Sequence, residues 1–188
     1  MIRIGTYSYE EYINLVKSFH GNLAPGLVIG GFMVDLAMKN LPAGEYFDAI
    51  CETPVCLPDA VQLLTPCTLG NGWLRVLNFG RFALAMYEYS TGEGVRIFLD
   101  AAKLDSWSEI KGWFFKQKQK KEQNQELLLE QIKQAGTGIL SLQTIRVDPG
   151  RLRRVKMGAV EICPVCREAY PLKDGDRCRA CQGESPYI

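Results

Sequence analysis

Histidine is almost missing from this 188-residue chain. His20 is the single one, so any site that needs an imidazole has to be built there. Charge of one sign is also missing: 22 basic and 21 acidic residues leave a net +1, which gives no global pull toward nucleic acid or anionic lipid. The longest apolar runs fall far short of a membrane span. The start, Met-Ile-Arg-Ile-Gly, has none of the features of a secretory signal, and no internal repeat is visible. Cysteine is present in an odd number, seven, and four of the seven fall in Cys-x-x-Cys pairs. That usage argues for a reducing cytoplasm and metal-bound sulfur, not a disulfide framework. What is present, 47% hydrophobic and 10% aromatic residues, supports one ordinary core plus a small appendage.

The remaining three cysteines and the histidine are confined to two stretches, Phe19–Gly26 and Cys51–Gly72. Cys56 precedes Leu57-Pro58-Asp59-Ala60-Val61-Gln62, a helix start with Pro and an acid in its first turn. A thiol facing that helix dipole is expected to favour the thiolate. Cys67 opens a loop that ends in Gly70-Asn71-Gly72. His20, Cys56 and Cys67 brought together make a soft metal site, or a nucleophile with its base. Cys51 and Cys67 fit equally well as small buried hydrophobes, as most free cysteines are.

Before and after these stretches the pattern is of an α+β core, with helices packed on an antiparallel or mixed sheet. Ser8 and Glu11 form a capping box for a first helix that Gly21 ends, placing His20 in its last turn. A second helix is expected from Pro25 to about Asn40. Its three glycines, Gly26, Gly30 and Gly31, cost about 1 kcal/mol each relative to alanine, so close packing should repay them. Gly26 lies in the first turn, where bare amides can hold an anion or a substrate oxygen. Tyr46–Glu52, Trp73–Leu77, Arg81–Tyr89, Val95–Leu99 and Ile139–Val147 read as strands, the middle ones as an antiparallel meander. Ser106 and Glu109 suggest a second capping box. The helix that follows is polar through Lys116–Gln125 and apolar at both ends, so it either projects or bends, and its ends call for cover by a second copy of the chain.

The chain divides into a core at 1–155 and a tail at 156–188. Asp148-Pro149-Gly150 closes the core, and a basic linker, Arg151-Leu152-Arg153-Arg154-Val155-Lys156, leads to the tail. Cys163-Pro-Val-Cys166 and Cys178-Arg-Ala-Cys181 stand eleven residues apart there. Two such knuckles complete a sulfur tetrahedron, so Cys163, Cys166, Cys178 and Cys181 are assigned to structural zinc in a treble-clef or ribbon-like finger. So short a tail cannot bury enough surface to fold without the metal.

Phe19-His20-Gly21-x-Leu23-x-Pro25-Gly26, Cys56-x-x-Asp59-Ala60-x-Gln62 and Cys67-Thr68-x-Gly70-x-Gly72 together resemble the FmdE family of formylmethanofuran dehydrogenase proteins. The resemblance implies an α+β core, a homodimer, a cleft lined by the His and Cys motifs, and a C-terminal zinc finger. It also implies association with a molybdenum or tungsten formylmethanofuran dehydrogenase in the first step of carbon dioxide reduction in methanogenesis. His20, Cys56, Asp59, Gln62, Cys67 and Thr68 carry over from the family pattern. Asn22 replaces a usual second histidine and Ala24 a frequent cysteine, so the expected core metal is weaker and exchangeable.

Three functions compete on these residues. In the first, His20, Cys56 and Cys67 hold a second zinc or another transition metal. His20, Cys56 and Asp59 form the working group, and Gln62 and Thr68 orient a small-molecule ligand. In the second, the basic linker with Arg167, Arg177 and Arg179 meets nucleic acid or a protein. Glu161, Glu168, Asp174, Asp176 and Glu184 offset that charge and disfavour it. In the third, Cys51 and Cys56 form a redox pair, at a spacing unusual for one.

Overall fold

The computed structural model describes residues 2–44, 46–148, 152 and 157–187. The chain divides into two compact units, Met1–Arg151 and Leu152–Ile188. The expected boundary at 155/156, the Pro149-Gly150 turn and all of the basic linker except Leu152 lie outside the described residues.

The first unit opens with a small hairpin, β1 (Arg3–Ile4) and β2 (Tyr7–Ser8). Ser8 then caps α1 (Tyr9–His20), its side chain accepting from Glu11 N–H while the Glu11 carboxylate accepts from Ser8 N–H. Gly21 closes the helix at φ +78°, where a side chain would be strained. The second helix, α2 (Pro25–Asn40), has the expected bounds and is buried nearly all round. Its glycines are there for packing. A Cβ on Gly31 would fall 2.5 Å from the Tyr12 ring, and one on Gly30 2.8 Å from Ala60. Tyr12 is fully buried and its hydroxyl donates to Leu27 O at 2.9 Å, so the ring has nowhere to retreat. Gly31→Ala is therefore expected to cost about 3 kcal/mol despite alanine's better helix propensity, read as a lower urea midpoint with an unchanged m value.

The sheet runs in the order β4-β3-β5-β6-β7, with β3 (Phe47–Cys51), β4 (Leu74–Val76), β5 (Ala83–Glu88), β6 (Glu93–Leu99) and β7 (Leu140–Arg146). It corrects the simple meander: β4 lies parallel to β3, with α3 (Leu57–Leu64) as the crossover between them. The remaining pairings are antiparallel. Alternation along β6 buries Val95, Ile97 and Leu99 and turns Arg96 and Phe98 to the opposite face.

The 106–135 region is two helices, α4 (Ser108–Phe114) and α5 (Gln125–Ala135), packed on one another. The Ser106/Glu109 capping box is absent. Trp107 is the N-cap without a side-chain bond, and the amides of Glu109 and Ile110 are taken instead by Gln131 Oε1 from α5. The apolar ends expected to need a second copy of the chain are largely covered from within: Ile110, Leu128 and Ile132 are buried in this unit. No described helix is long and apolar enough to cross a membrane. In the second unit β8 (Val160–Ile162) and β9 (Ala169–Pro171) form an antiparallel ribbon beside the cysteine knuckles.

Candidate functional site

In the tail, the sulfurs of Cys163, Cys166, Cys178 and Cys181 all lie within 4.8 Å of one another. The Cys166–Cys178 pair is 3.7 Å apart. Four sulfurs held tetrahedrally about 2.3 Å from zinc stand about 3.8 Å apart, so the donor set and its spacing fit the ion. Backbone amides complete the site. Cys178 N–H points at Cys163 Sγ at 3.5 Å, and Arg167 takes φ +68° to fold the first knuckle. Burial raises the Cys163 thiol pKa, but amides of Cys166, Cys178 and Val165 outweigh it and bring the value down to about 6, a state ready to ligate. Arg179 is paired with Glu184, which removes one of the cations that the nucleic-acid reading counted.

In the core, the helix end and helix start expected for His20 and Cys56 are present. His20 closes α1, and Cys56 is the N-cap of α3 in an unusual conformation for a residue with a side chain, φ +63°. His20 Nδ1 meets Asp59 Oδ2 at 2.7 Å. A carboxylate can only accept, so Nδ1 carries the proton and Nε2 keeps its lone pair. Cys56 packs against Gly26: a Cβ there would come within 2.9 Å of its Sγ. That contact gives Gly26 a reason independent of its amides. The expected thiolate is not favoured. Burial raises the Cys56 pKa, and the Asp59 carboxylate raises it further, together outweighing the helix dipole.

The other predicted ligands are placed apart. Cys67 is fully buried, and its thiol donates to Phe47 O at 3.4 Å. Burial pushes it up to about 11, with a partial offset from Thr65. Among the described residues, the four tail cysteines are the one group of three or more candidate ligands that converges, so His20, Cys56 and Cys67 do not form a ready metal cage. Cys51 is buried in β3 and pushed up to about 12, which removes it from a redox pair with Cys56. Gln62 and Thr68 brace the loop after α3. Gln62 Oε1 accepts from Leu69 N–H, and Thr68 Oγ1 accepts from Asn71 N–H.

Sequence reasoning missed the cleft itself. A cavity of about 1020 Å³ is lined at one end by Pro25, Val55 and Cys56, and elsewhere by Arg81, Phe82, Arg96, Phe98, Trp113, Phe114 and Lys116. Of the predicted core site residues only Cys56 lines it. Behind it lies Glu52, 5% exposed, gripped by Arg96 through Nε at 2.6 Å and Nη2 at 2.8 Å and by Arg81 Nε at 2.7 Å. Burial opposes ionisation of Glu52, yet the two guanidiniums hold its pKa below the ordinary value. The available signal was an arginine in the middle of the otherwise apolar Val95–Leu99 run.

Fold and site thus define a two-unit α+β protein with a four-cysteine zinc module. The family described as FmdE, molybdenum formylmethanofuran dehydrogenase operon, matches residues 19–146, and the FmdE treble clef zinc finger matches residues 154–188. The chain belongs to the FmdE family. It is similar to an FmdE-like protein of tungsten formylmethanofuran dehydrogenase from Syntrophus aciditrophicus, whose crystal structure superposes with a TM-score of 0.91 at 55% identity, covering 99% of this chain and 98% of that one. It is also similar to a probable S-adenosyl-L-methionine-binding protein of Archaeoglobus fulgidus, at 28% identity over 178 residues, 88% of this chain. The chain spans 46% of the length of that relative.

Proposed function

We propose that this FmdE-family protein is an accessory of a molybdenum- or tungsten-dependent formylmethanofuran dehydrogenase. In this reading it works through an exchangeable metal held by His20 and Cys56 beside the core cleft. The observation that carries the core site is the His20–Asp59 pair. A histidine whose one nitrogen is fixed by a carboxylate presents the other as an oriented, more basic ligand. Cys56, three residues before Asp59, supplies a soft second ligand. Two protein ligands leave open positions for water or a substrate, and zinc bound there would act as a Lewis acid. The association with a dehydrogenase is supported by the family and by the description of the Syntrophus aciditrophicus protein.

The test is thiol alkylation followed by peptide mass mapping. Because the Cys56 pKa is raised, its alkylation should be slow at neutral pH and accelerate about tenfold per pH unit up to that pKa. Cys51 and Cys67 should stay unlabelled in the folded core. Added zinc should protect Cys56, and His20→Ala should abolish that protection. Equal protection in wild type and His20→Ala would remove His20 from the site.

A homodimer belongs to the same reading, supported by the family resemblance and by Phe115 and Leu127, which stay exposed around α4 and α5. Sedimentation should give about twice the 21.1 kDa chain mass, and a species at the chain mass throughout the micromolar range would refute it.

A further inference from the structure

The cleft has more built into it than a metal at its edge would use. Three aromatic rings form one wall. Phe82 meets Trp113 edge-to-face at 6.3 Å and 88°, and Phe114 at 6.4 Å and 75°. None of the three is fully buried, so each keeps part of its ring surface toward the cavity it lines. Phe98 lines another part, with the Arg96 guanidinium 5.1 Å from its ring centroid. Aromatic surface left wet inside a concavity is the usual mark of a ring-binding site, since a bound ring regains both area and edge or stacking contact.

The charges beside that wall are cationic. Arg81 spends its Nε on Glu52, which fixes the guanidinium while leaving the side chain 58% exposed. Lys116 lines the mouth and has no acidic partner among the described residues. The one lining carboxylate, Asp100, is already engaged by the Ser141 hydroxyl and Ala102 N–H. Glu52 cancels one of the two guanidinium charges, so with Asp100 the remaining balance about the cleft is positive.

We infer that the cleft is a binding site for a planar aromatic molecule carrying an anionic group, a carboxylate, sulfonate or phosphate. The ring lies against Phe82, Trp113 and Phe114, and the anion is held by Arg81 and Lys116. A volume of about 1020 Å³ takes a ligand well beyond a single ring, in the upper part of the ordinary range for small-molecule sites. This deepens the proposed cleft function and rests on it only in that the ligand would lie within reach of Cys56.

A matched pair of fluorescent probes tests it on the full chain: 8-anilinonaphthalene-1-sulfonate, and its uncharged counterpart N-phenyl-1-naphthylamine. The sulfonate should bind saturably at one site per chain and more tightly than the neutral probe. Lys116→Gln and Arg81→Gln should each weaken the sulfonate about three- to tenfold and leave the neutral probe unchanged. Trp113→Leu should weaken both. Unchanged melting of the Lys116→Gln protein, whose side chain is exposed, keeps the result readable if the other variants are unstable. Equal affinity for the two probes, no saturable site, or indifference of the sulfonate to Lys116→Gln overturns the inference. Zinc protection of Cys56 is read separately. Its persistence when the probes fail sinks this inference alone, and its loss when they succeed sinks only the metal reading.

Discussion

Cys166→Ser will unfold the tail and release its zinc while the core keeps its own melting transition. The Leu152–Ile188 unit has one short ribbon and few buried side chains, among them Cys163 and Tyr170. So small a unit cannot offset its chain entropy by burial. The metal must, and structural zinc in peptides of this size contributes about 10 kcal/mol or more. Cys166 is exposed, so serine there makes no core cavity, and the whole effect passes through the lost thiolate. The expected record is one zinc per chain in wild type, less than a tenth of that in the variant, and an unchanged core transition in urea. Stoichiometric zinc with a folded tail in Cys166→Ser would refute sulfur ligation by this residue.

Glu52→Leu will destabilise the core by about 3 kcal/mol at pH 7. Its carboxylate is buried, and it is the shared partner of Arg96 and Arg81. Removing it leaves Arg96, whose side chain is 16% exposed, as an uncompensated charge with only the 3.0 Å bond to Gln143 remaining. Breaking a buried pair from one side costs about 3–5 kcal/mol, far more than the pair contributes against a well-packed apolar substitute. Arg81→Gln should cost under about 1 kcal/mol, because that arginine is exposed and Glu52 keeps its bidentate partner. The pH dependence follows from the lowered Glu52 pKa. The stabilisation is complete above the ordinary glutamate value of about 4.3, and is lost as pH falls through the lower folded-state value. Glu52→Leu should not show that acid-side loss. Equal costs for Glu52→Leu and Arg81→Gln in urea titrations would show that the carboxylate is not the centre of this cluster.

Much of this molecule was legible from residues close together in the chain. The Ser8–Glu11 box, the Gly21 stop and Pro25 at a helix start gave α1 and α2 their bounds, because caps and breakers act within one turn. The same locality failed at Ser106 and Glu109. There Gln131, more than twenty residues away, took the amides that a serine was expected to take. At Cys56 the local rule was correct about the helix dipole and wrong about the thiol. A dipole contributes a fraction of a charge, while burial and the Asp59 carboxylate act at full strength.

By itself, then, the sequence determined the helices with capped ends, the α+β class and the four-sulfur zinc module. Each of these is set by side chains a few residues apart acting through hydrogen bonds or a metal's fixed geometry. Tertiary structure alone decided that β4 runs parallel to β3, and that Cys67 and Cys51 are packing residues. It also brought Glu52 to Arg96 across 44 residues, and it left an aromatic and cationic cleft beside Cys56. These follow from which faces meet when the sheet closes and the helices cover it. Periodicity says which side of a strand is apolar, not which distant element will lie against it.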